Sequence, residues 1–580
     1  MMVGKKFGTP SRIRIIAICV IIVTVLFIVR LYEIIVIKGA DYTARADHQY
    51  VIAGSSLFDR GDIFLTGKDG TFVSAATQDS GFILAINPTQ LKDPEVAYQK
   101  INALLPLDKT EFLSHAQKEK DTYEEIAHRV DETVGKNIQA LAIPGVNVYR
   151  ERWRFYPGGN LAAQTIGFLG YASDGSSVTG QYGLERFYED TLARGNANLY
   201  VNFFAEIFAN VQHALNQNAA DQGDVITSIE PSVQLYLQKE LTAYSEKWHP
   251  ESVGGIIMNP QDGSIYAMAV DPTFDINNFQ KSNPAYFKNP LVENVYELGS
   301  IMKPITMASG IDSGVITADT TYTDTGCITV NTAKICNYDH KARGVIPMQQ
   351  ILSQSLNVGA SYIATKMGKD TYRTYLQKFG ITEETGIDLP NEAQPLMNNL
   401  KSPRDVEYDT ASFGQGIALT PMSMARALAV LGNGGVLVTP HVATEIRYPS
   451  GVVKKLGWSP RTQVISPQSA EIVTRMLVSV VDLSLSNGAA KIPGYSVAAK
   501  TGTAQIVNPA GGGYYTDRYL HSFFGYFPAY NAKFIVFFFA LKPVGAQYAS
   551  ETWTQPFLET TKFLINYYDV PPDRPVAVAH

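Results

Sequence analysis

Apolar positions fall into three regimes along the chain. From Ile15 to Val29 no charged residue occurs. That run of about 15 residues makes roughly 22 Å of helix, short for a bilayer core. Carried through Leu31 and Tyr32 to Ile37 it reaches about 23 residues, enough to span. Arg30 and Glu33 then lie at i,i+3 near one end, where they pair or reach the interface. From about residue 40 to 225 the pattern is mixed, with short strand-like runs at Gly81–Ile86 and Val146–Tyr149 between polar helical stretches and no internal repeat.

The third regime is sharper. Val233, Tyr236, Leu237, Leu241 and Tyr244 share one face of a helix predicted over Ser228–Trp248. Gly254–Met258 and Ile265–Val270 read as a hairpin whose turn signal is Asp262-Gly263. Tyr495–Val507, Ser522–Phe527 and Lys533–Leu541 also read as strands, and helical patterns at Met348–Met367 and Pro421–Leu431 lie between. Strands at both ends with helices in the middle predict an α+β domain, an antiparallel sheet flanked by helices.

The length of 580 residues suits two to four domains at about 150 residues each. A net charge of −6, with no nucleic-acid motif, argues against a nucleic-acid partner. Positive charge is local: Lys5, Lys6, Arg12 and Arg14 precede the first apolar run. Residues 1–14 therefore read as a cytoplasmic tail and 15–37 as a membrane-spanning helix, with the rest outside. A cleaved signal peptide is the alternative, but Arg30-Leu31-Tyr32-Glu33 follows the run rather than a small-residue cleavage site. Of the three cysteines, Cys19 sits in this run, whereas Cys327 and Cys336 flank two short arms that can face each other. Either a disulfide or two free thiols suits that pair. Neither has a histidine at metal-ligand spacing, so no metal or other cofactor is expected.

Candidate chemistry begins at Glu297-Leu298-Gly299-Ser300-Ile301-Met302-Lys303-Pro304, which opens a helix with a buried apolar side. Pro304 is tolerable only near its start. Ser300 thus stands at the helix N-terminus, with Lys303 one turn on over the same face. A serine hydroxyl is a poor nucleophile without a base in hydrogen-bond reach, and a neutral lysine amine can be that base. Burial, the positive end of the helix dipole and a second cation, Lys500, would each disfavour its ammonium form. Alone, a serine and lysine so spaced more often serve solvation. Two further segments alter that: Ser355-Leu356-Asn357, and Lys500-Thr501-Gly502-Thr503 in a strand-like run.

Together, Ser-x-x-Lys, Ser-x-Asn and Lys-Thr-Gly in this order resemble the signature of penicillin-binding proteins and serine β-lactamases. The likeness extends over nearly the whole chain. Tyr296-Glu297-Leu298-Gly299-Ser300 is similar to the family's Tyr-Glu-Pro-Gly-Ser, with leucine for proline. Phe413-Gly414-Gln415-Gly416, Thr420-Pro421 and Asn433-Gly434-Gly435 match further family segments. Arg154-Phe155-Tyr156-Pro157 and Gly183-Leu184-Glu185-Arg186 resemble the pedestal of class B penicillin-binding proteins, and Arg60-Gly61-Asp62-Ile63 the start of a pedestal motif whose remainder is not kept.

The resemblance implies a D,D-transpeptidase that joins peptidoglycan stem peptides ending in D-Ala-D-Ala and is acylated by β-lactams. Ser300 would be the nucleophile and Lys303 its base, with an oxyanion hole from the backbone N–H groups of Ser300 and Thr503. Ser355 would relay a proton to the departing D-alanine, and Asn357 would hold Lys303 and the donor peptide. Lys500, Thr501 and Thr503 would bind the terminal carboxylate, and Gly502 would keep the strand edge clear. It further implies a pedestal domain over 38–225, a transpeptidase domain over 226–570 and a C-terminal tail at 571–580. The protein would be a single-pass inner-membrane protein with its catalytic domain extracytoplasmic. Ser522-Phe523-Phe524-Gly525-Tyr526-Phe527-Pro528 looks more like the cell-division subtype, with glycosyltransferase and scaffold membrane proteins as partners. A β-lactamase needs neither anchor nor pedestal, a bifunctional synthase needs a glycosyltransferase motif, and a β-lactam sensor needs several membrane helices. An idle scaffold in a wall-synthesis complex would not need all three motifs intact.

Overall fold

The computed structural model describes residues 59–118, 120–171, 178–194, 222–458 and 461–575, together with Thr24. The predicted tail at 1–14 and, but for Thr24, the predicted span at 15–37 lie outside these. Among the described residues no helix is long and apolar enough to cross a membrane.

Two compact units form, and neither follows chain order. The smaller is built chiefly from Gln78–Arg154; the larger joins Arg60–Thr77 and Phe155–Arg194 to the C-terminal part of the chain. The strand Phe72–Ile86 is longer than the predicted Gly81–Ile86, and its part within the smaller unit sets Phe82 opposite Val130 and Ile86 opposite Glu124. Helices Pro94–Asn102, Lys109–Ala116 and Glu132–Ala140 each start after an aspartate that caps first-turn N–H groups. They bury Ile101, Phe112 and Ile138 against Leu84 and Ile86.

The larger unit draws three distant segments into one sheet. Ile63–Thr66 pairs in parallel with Asp224–Thr227, which pairs antiparallel with Ala443–Arg447. The three pedestal-like segments also converge here. The buried Arg60 guanidinium donates from Nε to Glu185 Oε2 at 2.7 Å and from Nη2 to Glu189 Oε2 at 2.8 Å. Tyr156 Oη donates to the other Glu185 oxygen at 3.3 Å.

The rest of this unit, in chain order, comprises α1 (Pro231–Trp248), β1 (Ser252–Met258), β2 (Ile265–Asp271), α2 (Lys303–Asp312), α3 (Asn357–Met367), α4 (Pro421–Gly432), α5 (Pro467–Ser479), β3 (Ala498–Val507), β4 (Tyr514–Phe527), β5 (Phe534–Leu541) and α6 (Ala549–Tyr567). The strands form one five-stranded sheet in the order β3-β4-β5-β1-β2, antiparallel throughout. Side chains of β5 alternate between two cores. Val536 and Phe538 join Leu237, Tyr244, Trp553 and Phe557 of α1 and α6 on one face. Ile535, Phe537 and Phe539 join Ile305, Leu428 and Val473 of α2, α4 and α5 on the other. A strand buried on both faces reads as a continuous apolar run, as β5 does.

Two sequence expectations need correction. Met348–Met367 is not one helix: Gln349–Ser353 ends, Ser355 takes φ +56, and α3 starts at Asn357. The buried face of α1 includes Gln234, whose amide bonds both the N–H and the C=O of Met268. Tyr236 instead is half-buried and stacks on Phe563, ring centroids 3.9 Å apart.

Candidate active site

The chain turns sharply just before α2. Gly299 holds φ +66, and Gly299–Met302 makes one 3₁₀ turn ahead of the helix. Glycine enters that left-handed region without steric cost. Gly414 matters as much, because a Cβ there would come within 2.3 Å of the Gly299 carbonyl oxygen. Pro304 falls in the first turn of α2, where a missing N–H breaks no helical bond. Ser300 therefore stands just ahead of α2, and Lys303 is its first residue.

Lys303 is enclosed, with 1% of its surface exposed. Its Nζ lies 2.9 Å from Ser300 Oγ, 2.6 Å from the Ser355 carbonyl oxygen and 3.2 Å from Ser355 Oγ. Burial, and then the nearby charge of Lys500, holds its ammonium form well below the ordinary lysine range. A neutral amine offers two N–H groups and one lone pair. Its N–H groups meet the carbonyl and hydroxyl oxygens of Ser355, which leaves the lone pair for the Ser300 O–H. A general base requires that geometry.

Lys500 comes from β3, in the middle of the sheet's edge. Its Nζ donates to Ser355 Oγ at 3.1 Å and to the Thr501 carbonyl at 3.0 Å. Burial pushes it down to about 7. The Ser355 hydroxyl thus accepts from both lysines and keeps its own hydrogen for a third atom. Holding it there requires left-handed backbone at a residue with a Cβ, a strain typical of functional sites.

Other motif residues sit differently from expectation. Asn357 does not bond Lys303: its amide nitrogen donates to the Cys336 carbonyl at 2.9 Å, and the backbone of Ser355 orients the amine instead. Gly502 also serves the packing behind the strand. A Cβ there would meet Ser522 Oγ at 2.3 Å and the Leu298 carbonyl at 2.8 Å, so its bareness admits the 2.8 Å bond from Ser522 to Leu298 that seats the Ser300 turn on the sheet. Thr503 Oγ1 accepts from the Ala549 N–H at 3.0 Å. Ser300, Ser355, Asn357, Lys500, Thr501 and Thr503 all line one cleft of about 850 Å³.

Residues 253–559 match the family of penicillin-binding protein transpeptidase domains. The chain belongs to that family. Residues 59–227 of this penicillin-binding protein match the penicillin-binding protein dimerisation domain. It is 29% identical over 498 residues to stage V sporulation protein D of Bacillus subtilis, covering 84% of this chain and 75% of the relative. It is 26% identical over 608 residues to a peptidoglycan D,D-transpeptidase FtsI homolog of Mesostigma viride, 99% of each chain. Penicillin-binding protein 3 of Mycobacterium tuberculosis in complex with aztreonam superposes with a TM-score of 0.64 at 26% identity, over 74% of this chain and 94% of that one. Penicillin-binding protein 2X of Streptococcus thermophilus has the same fold at 19% identity, with a TM-score of 0.72 over 88% and 80%.

One wall of the penicillin-binding protein's cleft is a cross-linked hairpin. Strands Cys327–Val330 and Ala333–Cys336 pair with Cys327 opposite Cys336, and the two form a disulfide. The expectation of no nearby histidine fails: the chain folds back after Cys336 and sets His340 Nδ1 3.7 Å from Cys327 Sγ. Sulfurs joined to each other present no thiolate to a metal. Sequence reading also missed Glu297, whose carboxylate accepts from the Gly416 N–H at 3.0 Å and from Tyr514 Oη at 2.9 Å. Burial pushes that carboxyl up from the usual range.

Proposed function

We propose that this penicillin-binding protein is a peptidoglycan D,D-transpeptidase that cross-links stem peptides through an acyl-enzyme on Ser300 and is acylated by β-lactams. The observation that carries the reading is the contact of Ser300 Oγ with the buried Lys303 amine, whose other bonds are made to Ser355 and whose ammonium form burial disfavours. In this reading the donor peptide lies along the edge of β3, its terminal carboxylate against Lys500, Thr501 and Thr503. Lys303 takes the Ser300 proton as Oγ attacks the carbonyl of the penultimate D-alanine. The N–H groups of Ser300 and Thr503 take the developing oxyanion, a contribution of about 3 kcal/mol per donor. Ser355 passes its hydrogen to the departing D-alanine nitrogen and is resupplied from Lys303. An amine of a second stem peptide then attacks the ester and restores Ser300.

No Asp or Glu lines the cleft among the described residues, which leaves no carboxylate there to drive a water onto the ester. This favours a transferase over a β-lactamase. Residues 15–37 would anchor the chain in the cytoplasmic membrane, with 38–225 as pedestal and 226–570 as catalytic domain outside it. The relatives named for sporulation and for FtsI support a septal role, in which glycosyltransferase and scaffold membrane proteins would be its partners.

The full chain, purified in detergent, should gain the mass of one penicillin, and Ser300→Ala should not. Labelling that survives in the variant would move the nucleophile elsewhere. Release of the bound drug within seconds would favour the β-lactamase.

A further inference from the structure

Transfer to an amine poses a charge problem that the cleft does not solve. An acceptor amine of lysine type titrates near about 10.4 and arrives as an ammonium. The cleft it must enter contains Lys334 and Lys500 and no carboxylate among its described lining. A second cavity of about 470 Å³ meets the cleft at Gln505, which lines both. Its walls are mostly apolar, including Tyr296, Leu396, Ile506 and Leu520, and Glu297 is the only charged residue lining it among the described residues. Tyr514, which lines the cleft, gives its hydroxyl to Glu297.

We propose that this second cavity receives the amine-bearing side chain of the acceptor peptide, with the Glu297 carboxylate binding its ammonium. Glu297 is three residues before Ser300, so three steps of about 3.8 Å keep the two Cα atoms within about 11 Å. Once it has given up its proton, the amine at the end of a long, flexible side chain swings across that distance from Glu297 to the ester. The carboxylate uses two of its lone-pair positions on Gly416 and Tyr514, and the others remain for the ligand. Apolar walls suit the methylene stem, as they do wherever long cationic side chains lie along apolar surface. Burial that raises the Glu297 carboxyl also fits it to accept the proton the ammonium must lose. The step balances. The ammonium gives one proton to Glu297, the free amine attacks the ester carbon, a C–N bond forms, and the C–Oγ bond breaks. Ser300 Oγ recovers a proton from the attacking nitrogen through Lys303, and Glu297 returns its own to solvent.

The inference rests on the transpeptidase reading, and one experiment separates the two. The full chain in detergent is acylated with a D-alanyl thioester donor and offered Nα-acetyl-lysine, an ammonium, or hydroxylamine, which is neutral at the same pH. In Glu297→Gln the ratio of lysine to hydroxylamine product should fall about tenfold, the loss of one charge-assisted contact. An unchanged ratio overturns the inference. If that variant does not fold, as judged by penicillin labelling, Tyr514→Phe replaces it: releasing the carboxylate should raise KM for acetyl-lysine more than it lowers kcat, and an unchanged KM overturns the proposal. Absence of penicillin labelling in the unaltered protein would instead sink the transpeptidase reading itself.

Discussion

The carbonyl oxygen of Ser355 lies 2.6 Å from Nζ of Lys303, the shortest contact that the amine makes. A backbone acceptor thereby fixes one N–H, the Ser355 hydroxyl takes another, and the lone pair has one direction left. The amine is aimed by main chain that a side-chain substitution at Asn357 does not remove.

Lys303→Met should therefore cost acylation without costing the fold. Penicillin trapping should slow by about 10²–10⁴, the usual worth of a positioned base. Its thermal midpoint should stay or rise, since a buried amine becomes an apolar chain of similar length. Near-normal trapping would remove Lys303 from the base role.

The pH profile should report Lys500. Burial pushes it down to about 7, so the free enzyme loses that ammonium as pH rises through about 7. The second-order rate constant for a carboxylate-bearing penicillin follows the free enzyme and should fall over the same range. Lys500→Arg should move this limb upward, because a guanidinium stays charged. A limb that does not move would place the titration elsewhere.

Asp409 should make stability pH-dependent in the opposite sense to an ion-paired carboxylate. Thr365 Oγ1 donates to Oδ1 at 3.1 Å, while Oδ2 is buried without a partner. Burial, and secondarily the charge of Asp405, raises the carboxyl to about 6. A raised folded-state value means stability is full below the unfolded value of 3.8 and is lost as pH rises through about 6. Asp409→Asn should thus melt above the unaltered protein at neutral pH, with the gain shrinking as pH drops below about 6. A gain independent of pH would contradict it.

Arg60→Ala should be strongly destabilising. It removes the guanidinium bonded to the fully buried Glu185 carboxylate, a loss of about 3–5 kcal/mol in comparable buried pairs. Thermal or urea denaturation of the full chain reads this directly, and a change below about 1 kcal/mol would show that the pair merely breaks even.

Gly414→Ala tests how Ser300 is seated. Its Cβ would overlap the Gly299 carbonyl, so the Ser300 turn must shift. Penicillin trapping should fall further than the melting temperature would suggest.

Much of this was legible in order along the chain. The Asp262-Gly263 turn defined the β1–β2 hairpin, and the apolar run of β5 marked a strand. The break before α3 was not legible, because Gln354, Ser355 and Leu356 include neither glycine nor proline, and Ser355 is bonded there by Lys303 and Lys500 from distant parts of the chain. Gln234 followed no apolar period, since its burial is satisfied by the backbone of Met268 across the fold. Nor does spacing disclose that His340 returns to Cys327, or that Gly414, more than a hundred residues away, is shaped to Gly299. These depend on long-range packing, which no local pattern records.

Among the described strands β3 has a neighbour on one side only, and from Thr501 to Val507 it carries neither charge nor proline. Bare margins of that kind are where sheets of different molecules associate, and most proteins guard them with lysines, prolines or bulges. Here the one irregularity comes late, between Gln505 and Val507. A guard placed earlier would obstruct the peptide. Occupancy by substrate and association with a stranger's sheet are thus alternatives for a single row of amides, and a molecule kept at work is also one kept from aggregating.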